Sequence, residues 1–440
     1  MKSVSDANDR YFEPDIECMA RAELEALQEA RLLELLPYVH ERSGLVATTW
    51  AEAGVHPRDV KSLDDFYERA PIIDKDTLRR YRDDHNDPFS GLVVDRQETW
   101  AAGTTSGTTG DPTVIPYVGR VRGREEPATY LSSFARSFWE LGVRPGDFVT
   151  LNHFTSRGPV FTNAQRIGAV PMVFSHDPRQ MARFCRLSLE FRPALMYVMS
   201  MALLLELLRL ESEEEVDIRD VLSSHAVIWG GEPIGNLARE ALRRWEAEVF
   251  ENTSVGDVTL ATECREHAGA HFAEDTALAE YHDVDLRKPA DDGRRAELIV
   301  TSLDPAFPLL RYRSDDVVTV DRSTCGCGRT HARLRTVGRV SDSFSVRGRA
   351  VLPLEVWSAV EAVTESSKGL FQIVAPDRAL EALRLRVGVD ASSRSADEVA
   401  NAIAESVEQA VGVLPQVELV AVADLLKLGP PHKIPRVVKA

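Results

Sequence analysis

The chain has 440 residues, 44% hydrophobic and 28% charged, and carries a formal net charge of −17. Its length predicts two or three domains, and its composition is that of an ordinary globular protein. An acidic surface repels nucleic acid and anionic membranes, so a small anionic ligand has to be caught by local amides and a few placed cations.

The opening stretch MKSVSDANDRYFEPDIE is polar and acidic, without the apolar core of a leader, and no apolar run reaches bilayer-spanning length. Both features predict a soluble, cytoplasmic protein whose partners include neither membrane nor nucleic acid. Leucines at helical spacing predict one amphipathic helix over residues 19–45, and a second helical signal lies near IIDKDTLRRYRDD. From residue 148 onward, the buried-strand patterns FVTLNHF, AVPMVF, ALMYVMS and HAVIWGGE alternate with helical ones such as PRQMARFCRLSLEF and ALLLELLRLESEEE. That alternation predicts a mostly parallel, helix-covered sheet. After about residue 290, AELIVTSLD, PLLRYRSDDVVTV and ARLRTVGRV are close-set strands of an antiparallel or barrel-like part. Another shift near residue 340 begins a small α+β unit, in which VRGRAVLPLEV reads as strand, turn and strand.

Residues 99–118, TWAAGTTSGTTGDPTVIPYV, place five hydroxyl residues and three glycines in the eight positions 103–110. A flexible turn has this composition, and so does a loop that wraps a polyphosphate with hydroxyls and amide N–H groups. The stretch lacks the Lys-Ser/Thr of a Walker A loop and the GxGxxG of a dinucleotide fold. Further along, VIWGGEP ends a strand in tight backbone suited to a flat ring or to a plain turn. RYRSDD offers a carboxylate at a strand end, for a ribose or simply for solvent. VGRVSD lies at the expected domain boundary, and PPHKIPRVVK sets a cation between prolines near the chain's end.

In this order, SGTTGDPT, GGEP, RYRSDD, CGCGRT, GRVSD, VRG and HKIPRV resemble the adenylate-forming superfamily, and within it the phenylacetate–CoA ligase branch. The N-terminal segments YFEPDIECMARAELEALQEARLLELL and SLDDFYERAPIIDKDTLRRYR match that branch's pattern as well, so the resemblance covers nearly the whole chain. It implies an α/β fold: a large N-terminal domain over residues 1–340, with two mostly parallel helix-covered sheets and a small β-barrel-like part. A small mobile α+β lid over residues 341–440 would swing about Ser341 or Asp342. It also implies ATP, Mg²⁺ and coenzyme A as partners of a small aromatic acid, with a homodimer as the family-level expectation.

The residue roles implied by the resemblance follow the motifs. Thr104, Thr105, Ser106, Gly107, Thr108, Thr109 and Gly110 close over the β- and γ-phosphates. Gly230, Gly231, Glu232 and Pro233 border the adenine, Asp316 holds the ribose, and Arg339 lies near the sugar and α-phosphate. Lys433 is the catalytic cation, bridging carboxylate and α-phosphate. Where the family carries Tyr-Gly-x-Ser/Thr-Glu, this chain has NTSVGD. Asn252, Thr253 and Ser254 then stand in the nucleotide site, and Asp257 replaces the Mg²⁺-binding glutamate with a side chain one methylene shorter. NHFTSRGPVFTNAQRIGA lacks the glycine-rich aromatic stretch beside the phenylacetate pocket. An aryl acid other than phenylacetate is therefore expected, with Phe154 and Phe161 facing the acyl group or packing in the core, and Arg157 facing a polar substituent or solvent.

Five cysteines, odd in number and unevenly spread, exclude a secreted disulfide framework. Cys264, His271, Cys325 and Cys327 supply three sulfurs and an imidazole, a closed tetrahedral set for structural Zn²⁺, with His267 and His331 as rival fourth ligands and plain buried thiols as the alternative. The acyl acceptor stays open among coenzyme A, a carrier-protein phosphopantetheine, an amine and a deazaflavin cofactor. A non-catalytic relative serving as a binding protein is the reading from another class.

Overall fold

The computed structural model describes residues 10–93, 99–104, 114–118, 130–152, 159–174, 180–223, 226–284, 288–305, 307–346, 349–375, 383–390, 392–426 and 435–439. The chain forms two compact units, one from residues 1–173 and 252–335, the other from residues 174–251 and 336–440.

In the first unit, helix Arg21–Arg42 buries Leu24, Gln28, Leu32, Leu35, Leu36 and Val39, a stripe at three- and four-residue spacing. The helix expected to run through residue 45 breaks at Ser43. Its extended backbone and hydroxyl, which accepts from the Val46 amide, start a new helix over Gly44–Glu52. Helix Lys75–His85 begins on an Asp74–Thr77 capping box and ends on Asn86 in the left-handed region. Strands Thr99–Thr104 and Val114–Val118 pair antiparallel, with Thr104 opposite Val114. Further strands lie side by side in the order Ala277–Asp283, Ala296–Ser302, Tyr312–Asp321, Arg333–Arg339, Ala270–Phe272, Thr259–Glu263 and Glu248–Val255. Strands Ala296–Ser302 and Tyr312–Asp321 pair antiparallel, as the close spacing after residue 290 predicts, and the strands between residues 248 and 283, which that spacing does not reach, pair antiparallel too.

In the second unit, strands Leu195–Met199 and Ala226–Gly230 pair parallel, and helices Met181–Phe191, Met201–Ser212 and Asn236–Arg244 accompany them. Phe184, Trp229, Trp245 and the leucines of helix Met201–Ser212 fill their core. The same unit holds a four-stranded sheet in the order Gln416–Ala421, Arg384–Val389, Phe371–Ala375, Val437–Lys439, packed with helices Pro353–Glu361 and Ala396–Val411. Helix Ala396–Val411 starts on a Ser395–Glu398 capping box and stops at Gly412, whose φ of 75° suits glycine. VRGRAVLPLEV does give the hairpin strands Phe344–Val346 and Arg349–Val351, but PLEV opens helix Pro353–Glu361. Pro353 stands in the first turn, where its missing N–H costs nothing, and the Glu355 carboxylate accepts from the Leu352 amide at 2.9 Å.

Candidate functional site

Cys264, His271, Cys325 and Cys327 converge in the first unit, their donor atoms all within 4.8 Å of one another. Cys264 follows strand Thr259–Glu263, His271 lies in strand Ala270–Phe272, and the last two cysteines lie between strands Tyr312–Asp321 and Arg333–Arg339. The Cys264 and Cys325 sulfurs are 3.7 Å apart, far beyond the roughly 2.05 Å of a disulfide and close to the roughly 3.8 Å edge of a tetrahedron with 2.3 Å metal–sulfur bonds. Cys327 Sγ stands 3.4 Å from His271 Nε2. The other ring nitrogen, Nδ1, lies 2.8 Å from the His331 carbonyl; donating there leaves Nε2 free to bind a metal. Both rival histidines are occupied elsewhere: His267 faces Glu263, and His331 lies between backbone groups of Ile16, Phe272 and Glu274. A hydrogen bond from Cys264 pulls the Cys327 thiol below its usual range against the effect of burial, and the same bond together with burial raises Cys264.

A buried ion network surrounds this knuckle. Arg329 lies between Glu17 and Glu140, each at 2.7 Å, and its amide donates to Cys327 Sγ. The Tyr11 hydroxyl donates to the Cys327 carbonyl at 2.6 Å, and Thr330 Oγ1 donates to the Met19 carbonyl. Beside them, Arg136 grips Asp275 and Glu13, and it keeps the buried Asp275 carboxyl below the ordinary range although burial pushes the other way.

The NTSVGD segment forms the end of strand Glu248–Val255 and the turn that joins it to strand Thr259–Glu263. Asn252 Nδ2 is held across the hairpin by Thr262 Oγ1 at 2.7 Å and the Ala261 carbonyl, while Thr253 and Ser254 keep partly open positions. At the turn, Gly256 and Asp257 have φ of 57° and 60°, the two left-handed residues of a tight hairpin. That geometry restricts which side chains fit at the two positions. A Cβ at Gly256 would come within 2.4 Å of Val300 Cγ2 and 3.0 Å of Ser314 Cβ, and a short Asp tolerates the left-handed region that follows. The turn therefore packs on RYRSDD. There Asp315 has φ 72°, Asp316 is half-buried, and the pairing with strand Ala296–Ser302 shifts register. Burial, and then the charges of Asp257, Asp316 and Asp315, raise the Tyr312 phenol well above its ordinary value. So the residues expected at magnesium and at ribose share one acidic neighbourhood. Arg311 is no solvated charge: it is buried on Glu280 at 2.7 Å and donates to the Ala70 carbonyl.

In the second unit, GGEP follows the fully buried strand Ala226–Gly230, and Gly231 takes φ 88°. The Glu232 side chain turns inward. Its Oε1 accepts from the Met201 amide, capping a helix that has no side-chain cap of its own, and its Oε2 stands 3.3 Å from Arg436. Burial lowers the Arg436 pKa, and Glu232 opposes that shift. Arg436, Glu361 and Trp357 are absent from the sequence-derived site; only the arginine, closing HKIPR, stood in a motif. Arg339 ends strand Arg333–Arg339, and the expected hinge residues Ser341 and Asp342 lie in the turn after it, where the Asp342 amide donates to the Arg339 carbonyl. Phe161 sits partly buried on helix Pro159–Arg166. Thr104 is exposed at its strand's end, whereas Thr105, Ser106, Gly107, Thr108, Thr109, Gly110, Phe154, Arg157 and Lys433 lie outside the described residues.

Known proteins of this kind exist. The phenylacetate–coenzyme A ligase of Thermus thermophilus is 30% identical over 400 residues, covering 86% of this chain and 84% of its own. The chain belongs to the phenylacetate–coenzyme A ligase family. The Pseudomonas putida phenylacetate–coenzyme A ligase is 26% identical over 447 residues, 97% of this chain and 96% of that one. Among solved structures, a 2-hydroxyisobutyryl-CoA ligase in the postadenylation state, in complex with an acyl-AMP, superposes with a TM-score of 0.84 at 25% identity over 100% of this chain and 94% of its own. No protein-family model matches the chain. The chain is thus an AMP-forming acid–CoA ligase of the adenylate-forming superfamily, using ATP and coenzyme A. No described helix is long and apolar enough to cross a membrane.

Proposed function

We propose that this ligase activates a small aromatic carboxylic acid other than phenylacetate. A substrate carboxylate oxygen attacks the α-phosphorus of ATP, forming the acyl-adenylate and releasing pyrophosphate; the thiol of coenzyme A then attacks the acyl carbon and releases AMP. Residues 104–110 hold the β- and γ-phosphates, Gly230, Gly231 and Pro233 border the adenine, Asn252, Thr253 and Ser254 line the nucleotide site, and Asp316 holds the ribose. Arg339 lies near the α-phosphate, and Lys433, on a lid over residues 341–440, neutralises the charge that develops there. Phe154 and Phe161 face the acyl group. A Mg²⁺ near Asp257 would screen the phosphates, and a structural Zn²⁺ on Cys264, His271, Cys325 and Cys327 would fix strand ends; that closed set leaves no position for substrate. Family membership supports the ligase reading, and the packing of the Gly256–Asp257 turn on RYRSDD, with Asp257 and Asp316 both acting on Tyr312, is in keeping with the proposed nucleotide contacts.

The cytoplasm is the proposed compartment and a homodimer the proposed assembly. The deciding experiment is pyrophosphate release from ATP with a panel of aryl and alkyl acids, with and without coenzyme A, and mass analysis of the products. An aryl acid should give the fastest release and an acyl-CoA product. Failure to release pyrophosphate with every acid of the panel would return the protein to the class of non-catalytic relatives, and a faster alkyl acid would overturn the aryl assignment.

A further inference from the structure

The turn that carries GGEP is held from both sides by side chains of residues 336–440, all within the second unit. On one side is Arg436. Its guanidinium lies 3.7 Å from the centroid of Trp357 and 4.9 Å from that of Phe371, one nitrogen donates to the Gly369 carbonyl at 2.7 Å, and another meets Glu232 at 3.3 Å. Arg436 and Glu232 expose only 10% and 5% of their side chains, so this is a desolvated pair. On the other side is Glu361, whose Oε1 accepts from Trp357 Nε1 at 2.6 Å and whose Oε2 accepts from the Asn236 amide at 2.9 Å. Helix Asn236–Arg244 starts on Gly235 and has no side-chain cap of its own, so Glu361 supplies one from elsewhere. The fit is close. A Cβ at Gly235 would fall 2.0 Å from Glu361 Oε1, and one at Gly369 2.6 Å from Trp357 Nε1.

We propose that Arg436 and Glu361 are positioning residues that clamp the GGEP turn while the acyl-adenylate is made and let go for thioester formation. Three observations support a releasable clamp over a permanent joint. The contacts are polar and cationic around one tryptophan, the Arg436 Nε has no partner among the described residues, and Arg436 stands only three residues after Lys433 in the chain. A well-packed apolar joint would be more stable than a buried pair with an unpaired donor. The clamp rests on the ligase reading: if the lid swings between half-reactions, whatever seats the segment following Lys433 serves only the first.

The test separates the half-reactions in the full-length protein. ATP–pyrophosphate exchange is measured with the fastest acid of the panel, and thioester formation is measured from that acid's chemically prepared adenylate and coenzyme A. Arg436→Gln should lower exchange at least about thirtyfold, the scale for truncating one partner of a buried charge pair, and change thioester formation less than about threefold. Arg436→Lys should restore part of the exchange, because it returns the charge without the flat fork. Glu361→Gln keeps Arg436 and should show the same split more weakly; it carries the test if Arg436→Gln does not fold. Equal losses in both half-reactions, or none in either, would overturn the clamp while leaving the ligase intact. No exchange by the unmodified protein with any acid would instead overturn the aryl-acid reading and the clamp together.

Discussion

The strands Thr259–Glu263 and Tyr312–Asp321 connect two regions of opposite character. Past one end of each lies the cysteine–histidine knuckle, where three of the four donors are buried and Arg329 sits in a double ion pair. Toward the other lie the Gly256–Asp257 turn and Asp316, with left-handed backbone and half-exposed carboxylates. Asp257 and Cys264 are seven positions apart and Asp316 and Cys325 nine, roughly 20–30 Å of extended chain. The contrast teaches a division of labour: buried ion pairs and hydrogen bonds tie one region together, while partly exposed carboxylates gather on left-handed backbone at the other. If that holds, substitutions at the two regions change different observables.

The largest effect belongs to Lys433. Replacing it with alanine removes the cation expected at the α-phosphate, and acyl-adenylate formation should fall about 10²–10³-fold, the scale for losing one preorganised electrostatic contact. AMP affinity and Tm should barely move. Undiminished pyrophosphate exchange in Lys433→Ala would remove the catalytic assignment and erase the contrast from the chemical side.

Cys325→Ser tests the opposite region. If the proposed Zn²⁺ is held there, loss of one ligand should cut zinc content by elemental analysis and lower Tm by roughly 5–10 °C, because metal binding would then be coupled to folding. The KM for ATP should stay within about twofold, since distant sites with no shared partner act independently. Equal zinc in the variant would reject the ligand set. A large KM change with normal zinc would show that the two regions are not separate.

The cluster of Cys264, His271, Cys325 and Cys327 was legible in the sequence from its sulfurs and imidazole, while the reason His267 and His331 stand apart lies in tertiary contacts to Glu263 and to the backbone of Ile16, Phe272 and Glu274. The order of strands and helices was legible too, since periodicity survives whatever the neighbours are. PLEV was misread as strand because its apolar residues fit either element, and the Pro353 start and Glu355 cap decide for helix. The clamp was hidden. Glu361 ends a short helix and resembles any solvated acid, and Arg436 resembles a basic tail, until tertiary packing buries both against Trp357. Nothing in local spacing records which distant helix start a glutamate will cap.

The smallest effect sharpens the comparison most. Asp257→Asn removes one negative charge from the neighbourhood it shares with Asp315, Asp316 and Tyr312. If a Mg²⁺ is held there, the concentration giving half-maximal pyrophosphate exchange should rise about tenfold, worth about 1.4 kcal/mol, with Tm nearly unchanged because asparagine also accepts the left-handed backbone. Asp257→Glu lengthens the side chain by one methylene but sets it at φ 60°, a backbone region better suited to a short Asp. Its gain in metal affinity should therefore be at most a few-fold and come with a slightly lower Tm. An unchanged Mg²⁺ requirement in Asp257→Asn would make this turn a structural corner like the knuckle, and chemistry would then have to reside in Asp316 and the hydroxyl-rich loop alone.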